Sequence, residues 1–295
     1  MIYGVETLLN FFVIGLAVGC IYGLVAMGLC VIYNASGIVN FAQGAFVMFG
    51  GMVAYVLLAR LGLPMLAAGP LAVILAWGLG WVVMRSVIRP LLKRRAPIFI
   101  MILATMATQI VLENAAMHAI GTKPVTLPEI TPGLLLRFGK VVIGGQSIWI
   151  AVGTLALGAV LWGFFARTLL GKAMRACAVN AEIATLLGIP VDRMVALSFA
   201  ISAALGAAGG VLITPTQYTA FNVAMPFGIK GFTAAILGGF GNVAGALAGG
   251  LVLGVLESLS VAFVSSGYKD VIVFGLLILI LFVRPSGLFS SPEEH

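Results

Sequence analysis

The chain has 295 residues, 62% of them hydrophobic and 8% charged, with a mean hydropathy of +1.19. Apolar surface on that scale exceeds what one globular core can hide, so composition excludes a water-soluble domain and makes the bilayer the solvent. The formal charge of +7 lies mostly in short loops between apolar runs, which reads as topology control rather than nucleic-acid binding.

Nine apolar segments follow in order: Leu8–Tyr33, Phe41–Ala59, Pro64–Met84, Ile98–His118, Ser147–Ala166, Met194–Ile213, Gly228–Gly241, Val243–Val264 and Val271–Val283. Several approach the ~20 residues that span a ~30 Å hydrocarbon layer. The second, seventh and ninth are short, which predicts tilted, broken or re-entrant helices. The first is long enough to contain a break. It lacks a basic start and is too long for a signal-peptide core. The expected fold is an all-α polytopic membrane protein of about 8–10 transmembrane helices, one domain over residues 1–295. Thr122–Gln146 carries three prolines and predicts loop or short helix.

Ten of the 16 basic residues crowd connections that the nine-segment count puts on one side. They are Arg85, Arg89, Lys93, Arg94 and Arg95, then Arg167, Lys172, Arg175 and Arg193, then Arg284. Basic loops stay cytoplasmic, so the C-terminus is expected inside and the N-terminus outside. Arg60, Lys123, Arg137, Lys140, Lys230 and Lys269 fall on the opposite side.

Residues Ser36–Gly50 nearly recur at Gly228–Gly245. Shifted by 191 residues, Gly37, Ile38, Phe41, Phe49 and Gly50 meet Gly228, Ile229, Phe232, Phe240 and Gly241, and Gly15 and Gly19 meet Gly206 and Gly210. One unbroken offset predicts an internal repeat, with halves near 8–120 and 194–290. Five intervening spans would make it inverted, as in many transporters. Asn40 and Gln43 are amides in an apolar setting and must face protein or a water-filled path. With Phe41, Gly44 and the repeat positions Phe232 and Thr233, they are pathway-lining candidates. Gly15, Gly19 and Gly23, and Gly241, Gly245 and Gly249, are spaced by four and predict close helix packing.

Glu113 and Glu257 are intramembrane carboxylates near span ends, where functional and snorkelling roles are both open. Cys20, Cys30 and Cys177 read as small packing residues, without a disulfide framework. With two histidines and no clustered Cys or acids, no metal site is expected. The loop 167–193 holds an Ala-rich stretch between Gly171 and Gly188 that predicts one short interfacial helix, closed by Gly188-Ile189-Pro190. The sequence lacks a phosphate-binding G-x-x-x-x-G-K-[ST] loop, because Ala166 stands where the first glycine belongs and Ala173 follows Lys172. If nucleotide drives this protein, another chain binds it.

Three runs carry a family resemblance: Gly23–Phe46, Ala184–Leu212 and Gly231–Gly250. Together they resemble the branched-chain amino acid ABC permeases of the LivH type, across essentially the whole chain. The resemblance implies a bacterial inner-membrane importer subunit that is not an enzyme. It implies a second LivM-like permease, two cytoplasmic ATPase subunits that bind the ATP, and a periplasmic binding protein as partners. Glu182 and Gly188 resemble the Glu and Gly of the ABC-permease coupling motif, and Arg175 and Ala184 lie in the same coupling segment. Asn40, Phe41, Ala42 and Gly44 match the family's N-F-A-H-G-E stretch. Gln43 replaces its His and Ala45 its Glu, so urea, short amides or aromatic acids stay open as substrates beside a branched-chain amino acid. An ion-coupled secondary transporter is the reading from another class.

Overall fold

The computed structural model describes residues 5–138, 141–284 and 287–288. Its helices are α1 (Val5–Ser36), α2 (Gln43–Ala59), α3 (Met65–Val83), α4 (Arg89–Lys93), α5 (Ile98–Ile120), α6 (Gly145–Arg167), α7 (Leu169–Val179), α8 (Ala181–Leu186), α9 (Val191–Ile213), α10 (Ala224–Gly238), α11 (Val243–Phe263) and α12 (Lys269–Val283). Among the described residues, seven helices are long and apolar enough to cross a membrane, and α2 is a shorter apolar helix. Helix is the expected answer to this composition, because lipid offers backbone groups no partner.

Three expectations are corrected. The first apolar run is one unbroken helix of 32 residues, not a span with a break. A π-helical turn over Met84–Ile88 carries α3 into α4, so Pro90 lies inside one helical run over Met65–Lys93. Thr122–Gln146 holds a β-hairpin, β1 (Leu135–Phe138) paired antiparallel with β2 (Val141–Gly144), rather than loop and helix alone. The 191-residue offset does not match like with like: residues 37–42 are turn, whereas 228–233 are helix.

Contacts fix the directions. The amide of Gln43 reaches Ser202, and a Cβ on Gly51 would meet Thr214, so α2 and α9 run parallel. A Cβ on Gly28 would meet Ser202, and one on Gly209 would meet Ile21 and Leu24, so α1 opposes α9. Gly44 abuts Ala224 while Phe41 meets Phe232, so α10 opposes α2. The units α1–turn–α2 and α9–turn–α10 therefore run in opposite directions. This geometry separates two faces. One carries the C-terminal ends of α1, α6 and α10 with α4, α7 and α8, and we term it the basic face. The other carries the β-hairpin, where the Val142 N–H donates to Asn10 Oδ1. Of the basic residues assigned opposite the basic face, Lys140 lies outside the described residues, and Lys230 is not in a connection at all. It is buried within α10.

Glycine faces set how closely the core helices approach. Gly15, Gly19 and Gly23 lie against α11 at Gly254, Gly250 and Leu247. Helix α11 shows two glycine faces, Gly250 and Gly254 toward α1, and Gly245 and Gly249 toward α10. Gly241 is not on that helix. It sits in the preceding turn at φ +96°, a conformation that favours glycine.

Candidate translocation pathway and coupling face

Gln43 opens α2 and is fully buried. Its Nε2 donates to the Ser202 carbonyl at 3.0 Å, and the Ser202 hydroxyl donates to its Oε1 at 2.5 Å. Both ends of the amide are thus spent on α9, so Gln43 clasps α2 to α9 in this conformation. Asn40 is also fully buried. Its Oδ1 accepts from the Ala42 N–H at 3.1 Å, while its Nδ2 has no hydrogen-bond partner among the described residues. Buried polar atoms are seldom left unpaired, so this donor stands out among the described residues.

Beside Asn40, Phe41 faces Phe232 with ring centroids 5.3 Å apart. Phe232 meets Phe240 at 5.8 Å, and Phe240 meets Tyr33 edge-on at 4.7 Å. This aromatic row joins the basic-face ends of α1, α2 and α10. Gly44 brings α10 against α2, since any Cβ there would overlap the Ala224 carbonyl. Thr233 is buried and returns its hydroxyl to the Ile229 carbonyl, a bond inside its own helix. The structure thus brings Asn40, Phe41, Gly44 and Phe232 together, and directs Gln43 and Thr233 into helix contacts.

The basic face is built from α4 and the α7–α8 elbow. The predicted single helix is two, broken at Asn180, whose backbone is extended (φ −158°, ψ 106°). Its side chain accepts from the N–H groups of Glu182 and Ile183, and so caps α8. Asparagine is among the strongest N-caps, and this asparagine amid helix formers was the available signal. Gly188 ends α8 at φ +81° with two bonds, its own N–H to Thr185 and that of Ile189 to Ala184. That pair is a Schellman ending. Arg175 donates to the Phe165 carbonyl at 2.9 Å and pins α7 to α6, and Ala184 is the buried residue of α8. Glu182 points outward, 87% exposed, with Arg95 at 3.9 Å. Leu169, Val179, Leu186 and Leu187 are also exposed here, an apolar patch beside charges. Cys177 is buried under the elbow, and burial pushes its thiol up, away from reactivity.

Glu257, singled out in the sequence, belongs to a charged cluster toward the hairpin face whose other members sequence reading did not join to it. Lys230 donates to Glu257 Oε1 at 2.6 Å, and the Tyr22 hydroxyl donates to Glu257 Oε2 at 2.8 Å. Asp270 and Lys269 stand next to this pair, at 3.1 Å from Lys230 and 3.4 Å from Glu257. The signal was present as a lysine inside the apolar run GIKGF and a glutamate inside another run. Opposite charges at membrane depth pair with each other. Among the described residues, no group of three His, Cys, Asp or Glu could hold a metal ion.

Residues 11–281 match the family model described as branched-chain amino acid transport system / permease component. The high-affinity branched-chain amino acid transport system permease protein BraD of Pseudomonas aeruginosa is 40% identical over 294 residues, 95% of this chain and 94% of that protein. The corresponding LivH of Escherichia coli is 37% identical, again over 95% of this chain and 94% of that protein. The ribose import permease protein RbsC of Bacillus subtilis is 27% identical over 60% of this chain and 57% of its own length. Among solved structures, PsaBC from Streptococcus pneumoniae in complex with Fab matches with a TM-score of 0.51 at 14% identity, over 94% of this chain and 92% of that one, a likeness of fold alone. By the family match and the identity to BraD and LivH, this multi-pass membrane chain belongs to the branched-chain amino acid ABC transport permease family.

Proposed function

We propose that this chain is the permease subunit of an ATP-driven importer for branched-chain amino acids in a bacterial inner membrane. A periplasmic binding protein delivers substrate to the hairpin face. A second, LivM-like permease completes the pathway, and two cytoplasmic ATPases dock on the basic face. The N-terminus is then outside and the C-terminus inside. The observation that carries this reading is the α7–α8 elbow, a doubly capped element with an exposed acid and exposed leucines, on the face rich in lysine and arginine. Such an element suits the transfer of motion from a motor subunit.

The pathway runs past the buried amide of Asn40 and the aromatic row Phe41–Phe232–Phe240. Urea, short amides and aromatic acids are the alternative cargoes, since Gln43 and Ala45 depart from the family's His and Glu. The test compares reconstituted uptake with ATP hydrolysis in Gly188→Val and Glu182→Lys. A Cβ at φ +81° costs about 1–2 kcal/mol in the elbow, and a reversed charge repels the partner's surface. Both variants are expected to hydrolyse ATP with reduced uptake, or to release the ATPases on purification. Wild-type coupling in both would place docking elsewhere.

A further inference from the structure

We propose that the pocket on the hairpin face is a binding site for an apolar zwitterion, an α-amino acid held by its own ammonium and carboxylate groups. The inference rests on the transport reading above and names the chemistry that receives the cargo. The cavity measures about 680 Å³ and lies between α1, the segment 216–223, α10, α11 and the start of α12. Its deep charges are Lys230 and Glu257, with side chains 10% and 9% exposed. Its outer charge is Lys269, 39% exposed, and Asp270, 52% exposed and outside the lining, pairs with Lys230 at 3.1 Å. Tyr22 adds a hydroxyl on Glu257, and its ring lies 5.6 Å from the Lys230 ammonium. Ile14, Val18, Phe227 and Val261 supply apolar wall.

Packing gives no reason for this cluster. Taking an ion pair out of water costs several kcal/mol per ion, and apolar replacements are often as stable or more so. Charges at membrane depth mark substrate paths. The two lysines and two acids cancel, so an incoming ion of one sign would leave a partner unmatched. A zwitterion leaves none. Its carboxylate can take the place of Asp270 against Lys230, with Lys269 near. Its ammonium can face Glu257 and the displaced Asp270, while its side chain lies along Phe227 and Val18. Pockets of this size with an apolar wall and few polar groups are ordinary small-ligand sites.

The experiment irradiates a diazirine analogue of leucine with the assembled transporter in proteoliposomes and maps the label by peptide mass spectrometry. The expected label falls on α10 near Phe227 or on α11 near Val261. Leucine should compete, whereas leucinamide and 4-methylpentanoate, each lacking one charge, should not. Lys230→Met should lower labelling roughly 30-fold, the scale for truncating one partner of a buried charged contact. The double variant Lys230→Met/Glu257→Met leaves neither of the deep charges, guards against misfolding, and should lose labelling equally. Unchanged labelling in assembled variants, or competition by the one-charge analogues equal to that by leucine, would overturn the site. Leucine uptake by the wild-type transporter with its binding protein is measured alongside. Uptake without label in this pocket overturns the site alone, and absence of uptake overturns the transport reading with it.

Discussion

Replacing Gln43 with leucine tests the clasp between α2 and α9. The native amide makes two bonds to Ser202, one at 3.0 Å and one at 2.5 Å. Leucine removes both and strands the Ser202 hydroxyl in a fully buried place. Leaving such a group unpaired costs about 1–3 kcal/mol. The serine can turn back to a carbonyl one turn earlier in α9, which keeps the cost toward the lower end. Branching adds a second term, because a Cβ on Gly28 would already overlap the Gln43 amide. Overpacking of that kind costs about 1–3 kcal/mol. The measurement is a double-mutant cycle of Gln43→Leu and Ser202→Ala, read as unfolding of the purified transporter in detergent. Gln43→Leu should lose about 2–4 kcal/mol from the two terms together, and Ser202→Ala about 1–3 kcal/mol. The double variant should lose less than their sum by about 0.6–1.7 kcal/mol, the range for polar pairs within membranes. Additivity within ~0.3 kcal/mol would refute the clasp. A fully stable Gln43→Leu transporter that fails to move substrate would return Gln43 to the pathway wall.

Glycine packing should be position-specific along one helix. On α3, a Cβ at Gly80 would overlap the Phe199 carbonyl, whereas at Gly78 it meets nothing within 4 Å. Gly80→Val should therefore abolish assembly, while Gly78→Ala should assemble as wild type, both read by size-exclusion chromatography. Sidedness should follow the basic face. In a background lacking Cys20, Cys30 and Cys177, a cysteine at 93 or 172 should resist an impermeant thiol reagent in intact cells, and one at 137 should react. Labelling at 172 but not at 137 would reverse the orientation.

Much of the fold is legible in the sequence because lipid enforces it. Long apolar runs have helix as their outlet, and the nine segments sit near nine of the helices. Part of what escaped reading was set by contacts across the fold. A four-glycine spacing cannot say which neighbour each glycine meets, so the turn residue Gly241 looked like part of α11. The hairpin strands were written locally, in the mostly apolar runs LLRF and VVIG. Three nearby prolines pointed the other way. The elbow at Asn180 depended on one cap outweighing helix propensity over its neighbours. Lys230 and Glu257 are 27 residues apart on different helices, and neither declares its partner until α10 packs on α11.

The account stands on energy and cargo together. The decisive measurement is uptake of radiolabelled leucine, isoleucine and valine into proteoliposomes holding this chain, the second permease, both ATPases and the binding protein. Uptake should require ATP, stop when the ATPases are left out, and continue when ionophores collapse the ion gradients. Uptake that persists without ATP and disappears with ionophores, or a transporter that hydrolyses ATP yet moves no branched-chain amino acid, would contradict it.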